Sequence, residues 1–344
     1  MINVREKAEV VEEGEILGSM SSMGHEQVLF CNDEQTGLRA IIAVHNTVLG
    51  PSLGGTRMWN YASEQEALKD VLRLSRGMTF KASISGLNLG GGKAVIIGNS
   101  KTDKSEALFR RFGQFVDSLN GKYITAEDVG INPQDINWVA QETSHVSGLP
   151  GKGGDPSPVT AYGVYMGMKA SAKVQWGNDS LAGKTIAVQG AGHVGMYLIE
   201  YLAKENANIV VTDIDQDAVA VAVSKHGASA VDFDDIYDVN MDIYAPCALG
   251  ATVNDNTLRR LNCSIIAGAA NNQLENEIHH GRVVMEKGII YAPDFLINAG
   301  GLINCYSELH GYDKEGAMSQ TEKIYQTTLD IITMSKNEGI PTYM

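Results

Sequence analysis

The chain has 344 residues, 44% of them hydrophobic, and a formal net charge of −14. Its length allows two domains of ordinary size, each with a buried core. Both signs of charge are mixed with no basic stripe, which argues against a nucleic-acid partner, and no apolar run is long enough to cross a bilayer.

In chain order, Met1 to Glu15 is charged and lacks an apolar targeting core, so a soluble, cytoplasmic protein is expected. Gln27–Cys31 and Leu38–Val44 are apolar runs separated by a polar turn at 32–37, which reads as strand, turn, strand. Ser63 opens a helix, with Glu64 and Glu66 in its first turns and Ala67, Val71, Leu72 and Leu74 at helical spacing. The glycine run Gly90-Gly91-Gly92 reads as a loop, followed by a short buried strand at Ala94–Ile97. Asp103 to Leu119 is an amphipathic helix, and Tyr123–Thr125 is a strand that delivers Ala126, Glu127 and Asp128 to its C-terminal end.

Residues 148–158 are rich in glycine and proline and mark a hinge between domains. Beyond it, a helix from about Thr160 to Val174 precedes strands at Thr185–Gln189, Asn208–Thr212, Ile243–Ala245, Ser264–Ala267 and Gly288–Tyr291. Strands alternating with helices imply a parallel sheet with helices on both faces. The organisation expected is therefore α/β, with a first domain over 1–148, a second over 149–318, and a C-terminal helical segment over 319–344 that packs back on the first domain. Cys31, Cys247, Cys263 and Cys305 form no close pair and no zinc-ligand spacing, so reduced thiols and no metal site are expected.

Gly190-Ala191-Gly192-His193-Val194-Gly195 fits G-x-G-x-x-G between a strand and a helix, and Asp213 ends the next strand at the distance a dinucleotide fold requires. The helix N-terminus would receive the pyrophosphate. Asp213 would accept from the adenosine ribose hydroxyls and repel a 2′-phosphate, which favours NAD over NADP. The competing reading is a tight strand-to-helix turn with no ligand, and His193 reads as a bystander in the loop.

Oxidation of an amino acid needs a cation for the α-carboxylate, a base for the amine or the attacking water, and an acid for the leaving amine. Lysine serves as base when burial or a neighbouring cation lowers its pKa. Lys93, directly after the glycines and sharing a cleft with Lys81, meets that requirement, and Asp128 at a strand end can pass protons to and from the amine. The bland alternative is two solvated lysines and an aspartate that caps a helix. Arg57 reads as a structural ion-pair partner, and Glu127 points to the opposite strand face and reads as structural.

Gly50-Pro51-Ser52-Leu53-Gly54-Gly55-Thr56-Arg57-Met58-Trp59, Arg76–Lys81, Leu87–Lys93, Tyr123–Gly130, Pro156–Gly163, Ala245–Gly250, Ala269–Gln273 and Ile297–Gly301 occur in one order along nearly the whole chain. In these blocks the chain resembles the glutamate/leucine/phenylalanine/valine dehydrogenase superfamily, and most of all its members that act on leucine. The resemblance implies an N-terminal α/β domain for substrate and oligomerisation, a Rossmann-type NAD domain, and a cleft between them that closes for chemistry. It implies a homo-oligomer, an octamer as in those members. It makes Lys93 the catalytic lysine, Asp128 the catalytic aspartate and Lys81 the lysine that binds the substrate carboxylate, with Gly54, Gly55 and Met78 also at the substrate. Thr160 and Asn271 or Asn272 match positions near the nicotinamide, and Asn298 lies in the segment closing over the substrate. The implied reaction converts an L-amino acid, NAD and water to a 2-oxo acid, ammonia and NADH. It runs through an imine, Lys93-assisted attack of water, and collapse of a carbinolamine.

By the same resemblance Leu53, Ala126, Leu302 and Cys305 line the side-chain pocket. Glutamate-specific members carry a lysine where Leu53 stands, and an unpaired carboxylate in an apolar pocket is costly, so glutamate is excluded. Leucine, valine and isoleucine suit the pocket. Leucine-specific members often have valines where Leu302 and Cys305 stand, and such exchanges shift discrimination by about 1–3 kcal/mol, which keeps phenylalanine or tryptophan open as alternatives. Ser100 replaces a usual proline without expected effect. The chain stops at Pro341–Met344 where relatives continue into a further helical segment, which could loosen packing between domains or subunits. An NAD-binding regulator without chemistry is the remote alternative, opposed by the presence of Lys81, Lys93 and Asp128.

Overall fold

The computed structural model describes residues 16–149, 153 and 155–344. The charged N-terminus and most of the 150–154 part of the expected hinge lie outside the described residues. The chain divides into two compact units, one running to the hinge and including Glu308–Tyr312, the other formed by Asp155–Ser307 and Asp313–Met344. No helix among the described residues is long and apolar enough to cross a membrane.

In the first unit, helix α1 (Ile16–Met23) precedes strands β1 (Gln27–Asp33), β2 (Leu38–Asn46) and β3 (Ser52–Trp59). Helix α2 (Glu64–Ile84), β4 (Gly90–Ile97), α3 (Glu106–Ser118), β5 (Tyr123–Glu127) and α4 (Pro133–Val139) follow. The sheet has the order β1-β2-β4-β3-β5; β1, β2 and β4 pair antiparallel, while β3 lies parallel to both β4 and β5. One face packs Ala67, Leu68, Val71 and Leu72 of α2 on Ile41, Ala43 and Val95. The other buries Phe109, Phe112 and Val116 of α3 against Tyr123, Ala94 and Ile96. Ser63 caps α2 as expected, its hydroxyl accepting from the Glu66 N–H at 3.1 Å.

One expectation needs correction here. The glycine run is not a loop: Gly90, Gly91 and Gly92 are buried residues of β4. They are small because neighbours leave no room. A side chain on Gly91 would strike the Thr79 N–H and hydroxyl and come within 2.5 Å of the Ser75 carbonyl of α2, and one on Gly92 would come within 2.7 Å of the Tyr123 ring. Close packing explains them. In addition, Ser52–Trp59 forms a strand that a run with two central glycines does not advertise.

The second unit contains α5 (Ser157–Trp176), β6 (Thr185–Gln189), α6 (His193–Lys204), β7 (Asn208–Thr212), α7 (Gln216–His226), β8 (Ser229–Ala230) and β9 (Ile243–Pro246). It continues with α8 (Asp255–Arg260), β10 (Ile265–Ile266), α9 (Glu277–Glu286), β11 (Ile290–Tyr291), α10 (Asp294–Ile297), α11 (Gly300–Leu309), α12 (Lys314–Glu322) and α13 (Ile324–Glu338). The six strands are all parallel in the order β11-β10-β9-β6-β7-β8, the doubly wound arrangement expected from the alternation of strands and helices.

The expected C-terminal helix is two helices, α12 and α13, and both belong to the second unit, where they pack against α5. Ile324, Thr328, Ile332 and Ser335 make a buried stripe at helical spacing on α13. The later segment that joins the first unit is Glu308–Tyr312. There the Glu308 carboxylate accepts from the Gly148 N–H at 2.9 Å, the Leu149 N–H at 3.4 Å and the Ser147 hydroxyl at 3.3 Å.

Candidate active site

In the first unit the candidate residues converge on the sheet face that α2 covers. The register pairs Leu53 with Gly91, Thr56 with Ala94, and Gly55 with Ala126. Side chains alternate along a strand, so Leu53, Gly55 and Arg57 of β3 share this face with Lys93 of β4, Ala126 of β5 and Asp128 just past it. Glu127 falls on the opposite face, paired with Thr56.

Lys93 and Asp128 come from strands on either side of β3, and their side chains form an ion pair. Gly55 makes that possible. A side chain there would strike the Glu127 carbonyl and come within 2.9 Å of the Asp128 Cβ. Lys93 is 7% exposed, and the Asp128 side chain 17%, so the pair is largely withdrawn from water. Burial pushes the Asp128 carboxyl up, but the Lys93 ammonium and the Arg57 guanidinium outweigh it and hold the group down to about 2. A carboxylate held ionised beside an ammonium suits an exchange of protons with a substrate nitrogen.

Arg57 lies within 3.5 Å of Asp128 through Nε and 3.0 Å of Asp70 of α2 through its terminal nitrogen. Asp70 also accepts from the Tyr61 hydroxyl at 2.6 Å. The structural ion pair expected of Arg57 is present, and the same side chain also reaches Asp128. Lys81 occupies the last turn of α2, with Met78 one turn before it. The Met78 Cγ lies 3.4 Å from where a side chain on Gly54 would begin. Leu53 and Ala126 are buried.

The second unit carries the remaining candidates. Gly190 has φ +115°, a conformation open to glycine, and its N–H donates to the Thr212 carbonyl at 2.8 Å. A side chain on Gly195 would strike the Gly190 carbonyl, whereas Gly192 faces open space. Gly192 is the N-cap of α6 and supplies no capping side chain, so first-turn N–H groups remain for a ligand; His193 is the first helical residue and Val194 the next. Asp213, at the end of β7, accepts from the Ala191 N–H at 2.6 Å and the Asp215 N–H at 2.9 Å. Each of its oxygens keeps a lone pair for a hydroxyl donor. These residues fit a dinucleotide.

Asn298, 5% exposed, donates to the Asn271 side-chain oxygen at 2.8 Å and to the Ala269 carbonyl at 3.0 Å. Its own side-chain oxygen is buried with no hydrogen-bond partner among the described residues, which marks it as an acceptor for a bound donor. Asn272 adopts φ 52°. The Thr160 hydroxyl lies 2.9 Å from where a side chain on Gly301 would begin, so Thr160 sits close to the start of α11, which carries Leu302 and Cys305 one turn apart.

Asp255, His279 and His280 bring potential ligand atoms within 4.8 Å of one another. The Asn276 N–H donates to His280 Nδ1 at 2.9 Å, which leaves the imidazole proton on Nε2, 3.5 Å from Asp255. A metal at Nε2 would strip the ring of its last proton, so the cluster reads as a polar group rather than a metal site.

Residues 25–145 match the model of the Glu/Leu/Phe/Val dehydrogenase dimerisation domain. Residues 153–222 and 211–338 match that of the Glutamate/Leucine/Phenylalanine/Valine dehydrogenase. The leucine dehydrogenase of Bacillus subtilis (strain 168) is 55% identical over 333 residues, covering 96% of this chain and 91% of that protein. An L-tryptophan dehydrogenase of Nostoc punctiforme is 48% identical over 324 residues, covering 94% and 92%. The crystal structure of L-tryptophan dehydrogenase from Nostoc punctiforme superposes with a TM-score of 0.84 at 46% identity, covering 96% of this chain and 95% of that one.

Proposed function

The chain belongs to the Glu/Leu/Phe/Val dehydrogenase family and is an amino-acid dehydrogenase of the leucine-dehydrogenase-like kind; from that premise we propose that it catalyses the NAD-dependent, reversible oxidative deamination of leucine, and of valine and isoleucine, to the 2-oxo acid and ammonia. The observation that carries the chemistry is the withdrawn Lys93–Asp128 pair on the sheet face beside Gly55. Lys81 receives the substrate carboxylate, Asp128 exchanges a proton with the substrate nitrogen, and Lys93 assists attack of water on the imine. A nicotinamide cofactor, when bound, takes the hydride from the α-carbon. The Gly190–Gly195 turn, Asp213, Thr160, Asn271, Asn272 and Asn298 serve its binding and that of the substrate.

Leu53, Ala126 and Leu302, all buried, support an aliphatic substrate, and Leu53 offers no charge to a side-chain carboxylate. NADH formation with leucine, valine, isoleucine, phenylalanine, tryptophan and glutamate, tested singly, is expected to favour the three aliphatic substrates and to give nothing with glutamate. A preference for phenylalanine or tryptophan would keep the mechanism and overturn the pocket; silence on all six would sink the assignment.

Asp213 supports NAD over NADP. Asp213→Ala is expected to weaken NAD binding about 10-fold or more, the worth of hydrogen bonds to a charged group, and to narrow the preference against NADP. Titration of both dinucleotides checks this, and an unchanged ratio would show that Asp213 does not read the ribose. The dimerisation-domain match supports an oligomer, and a homo-oligomer, the octamer of the leucine-acting members, belongs to the same proposal. No disulfide joins Cys31, Cys247, Cys263 or Cys305, which suits a reducing, cytoplasmic location.

A further inference from the structure

Arg57 has no role in the reaction just derived, yet its contacts tie it to the reacting pair. It rises from β3 between the strands that carry Lys93 and Asp128. Its Nε–H is buried, makes no hydrogen bond among the described residues, and lies 3.5 Å from the Asp128 carboxylate. Its other end is held by Asp70 at 3.0 Å, which is held in turn by the Tyr61 hydroxyl at 2.6 Å. A fold that needed Arg57 only for the Asp70 pair would not leave its Nε–H buried and unbonded beside a second, withdrawn carboxylate.

We propose that Arg57 is a positioning residue: with its far end anchored by Asp70 and Tyr61, it fixes the Asp128 carboxylate and keeps it anionic and set toward Lys93. The proposal rests on the dehydrogenase reading above and adds a residue to it. Asp128 then has two cationic neighbours, Lys93 from β4 and Arg57 from β3, with Asp70 of α2 drawing off part of the Arg57 charge. The other titratable groups about this face are Lys81 of α2 and Tyr61 between β3 and α2; Tyr123 of β5 lies on the opposite face, where its hydroxyl donates to the Gly54 carbonyl at 2.7 Å, and burial, with a smaller push from Asp128, raises its titration. Coupled groups of this kind lose protons as a set, so the limb of a pH profile belongs to the cluster.

The arrangement fixes the sign of two perturbations. Removing the guanidinium leaves the carboxylate with less positive charge, so the pH at which kcat/KM rises moves up. Removing the Asp70 charge frees the guanidinium for Asp128, so the same limb moves down. The test is the kcat/KM–pH profile for leucine oxidation by the full-length wild type and by Arg57→Gln, Arg57→Lys and Asp70→Asn, with thermal unfolding and NADH binding measured on each. The limb is expected to rise by about one to three pH units in Arg57→Gln, the range for a lost opposite charge at this distance. It is expected to return near wild type in Arg57→Lys and to fall in Asp70→Asn. If Arg57→Gln does not fold, the other two carry the test. Limbs unmoved, or moved in one direction by both charge removals, while the wild type turns over would overturn the positioning role and leave the dehydrogenase reading intact. A wild type that forms no NADH would overturn the reading and this role with it.

Discussion

Lys93→Ala is expected to lower kcat by about 10²–10⁴-fold, the usual contribution of a positioned acid–base group, and to leave dinucleotide affinity unchanged. The lysine sits in the middle of β4, 7% exposed, with its side chain paired to Asp128 on the face that Gly55 leaves open. Its loss does not strand the carboxylate, because Arg57 still lies 3.5 Å away. The strand therefore keeps its register, and the deficit falls on chemistry rather than on folding. The dinucleotide turn at Gly190–Gly195 belongs to the other unit and does not depend on β4 for its shape. Steady-state rates with leucine, set beside a fluorescence titration of NADH, separate the two effects. A variant that turns over like the wild type would remove Lys93 from the mechanism; one that also fails to bind NADH would point to a folding defect instead.

Gly91→Ala carries the second large effect, and its sign is the informative part. Replacing a strand glycine by alanine ordinarily stabilises by about 0.5–1 kcal/mol, since less backbone freedom is lost. Here the added methyl would strike the Thr79 N–H and come within 2.5 Å of the Ser75 carbonyl. Those atoms are helix backbone and cannot rotate aside. Overpacking of this kind costs about 1–3 kcal/mol, which lowers the unfolding midpoint by roughly 2–4 °C per kcal/mol in a domain of this size. Relief by a shift of α2 would carry Met78 and Lys81 with it, so the KM for the amino acid is expected to rise more than kcat falls. A raised unfolding midpoint with an unchanged KM would show that α2 does not press on β4 as described.

How much of this was legible beforehand depended on whether a residue's role is local. The Ser63 cap, the β1–β2 hairpin and the parallel strands of the second unit follow from short-range pattern, and they appear where that pattern puts them. The dinucleotide turn is equally local, because a strand, three glycines and a helix start sit within one stretch. Gly90–Gly92 read wrongly because composition shows only that side chains are absent, and not whether a ligand or a helix fills the space. Missing β3 had a further consequence. With Ser52–Trp59 recognised as a strand, alternation puts Arg57 two residues past Gly55 on the same face as Lys93 and Asp128. Asp70 and Tyr61 carry no such signal, since their part depends on how α2 lies over the sheet. The path of α13 depends in the same way on the surface of α5 it finds.

The Glu308 contact bears on how the polypeptide is made. The turn at Ser147–Leu149 hands its N–H groups to a carboxylate that lies about 160 residues later in the sequence. During synthesis, everything up to that turn leaves the ribosome long before Glu308 does, so the first unit must wait, with one corner unfinished, while most of the second is still being translated. A gene fragment ending at the hinge encodes the same unfinished corner. The apparent linear order of two domains therefore conceals an interlaced one, in which the earlier unit is completed by five residues borrowed from within the span of the later.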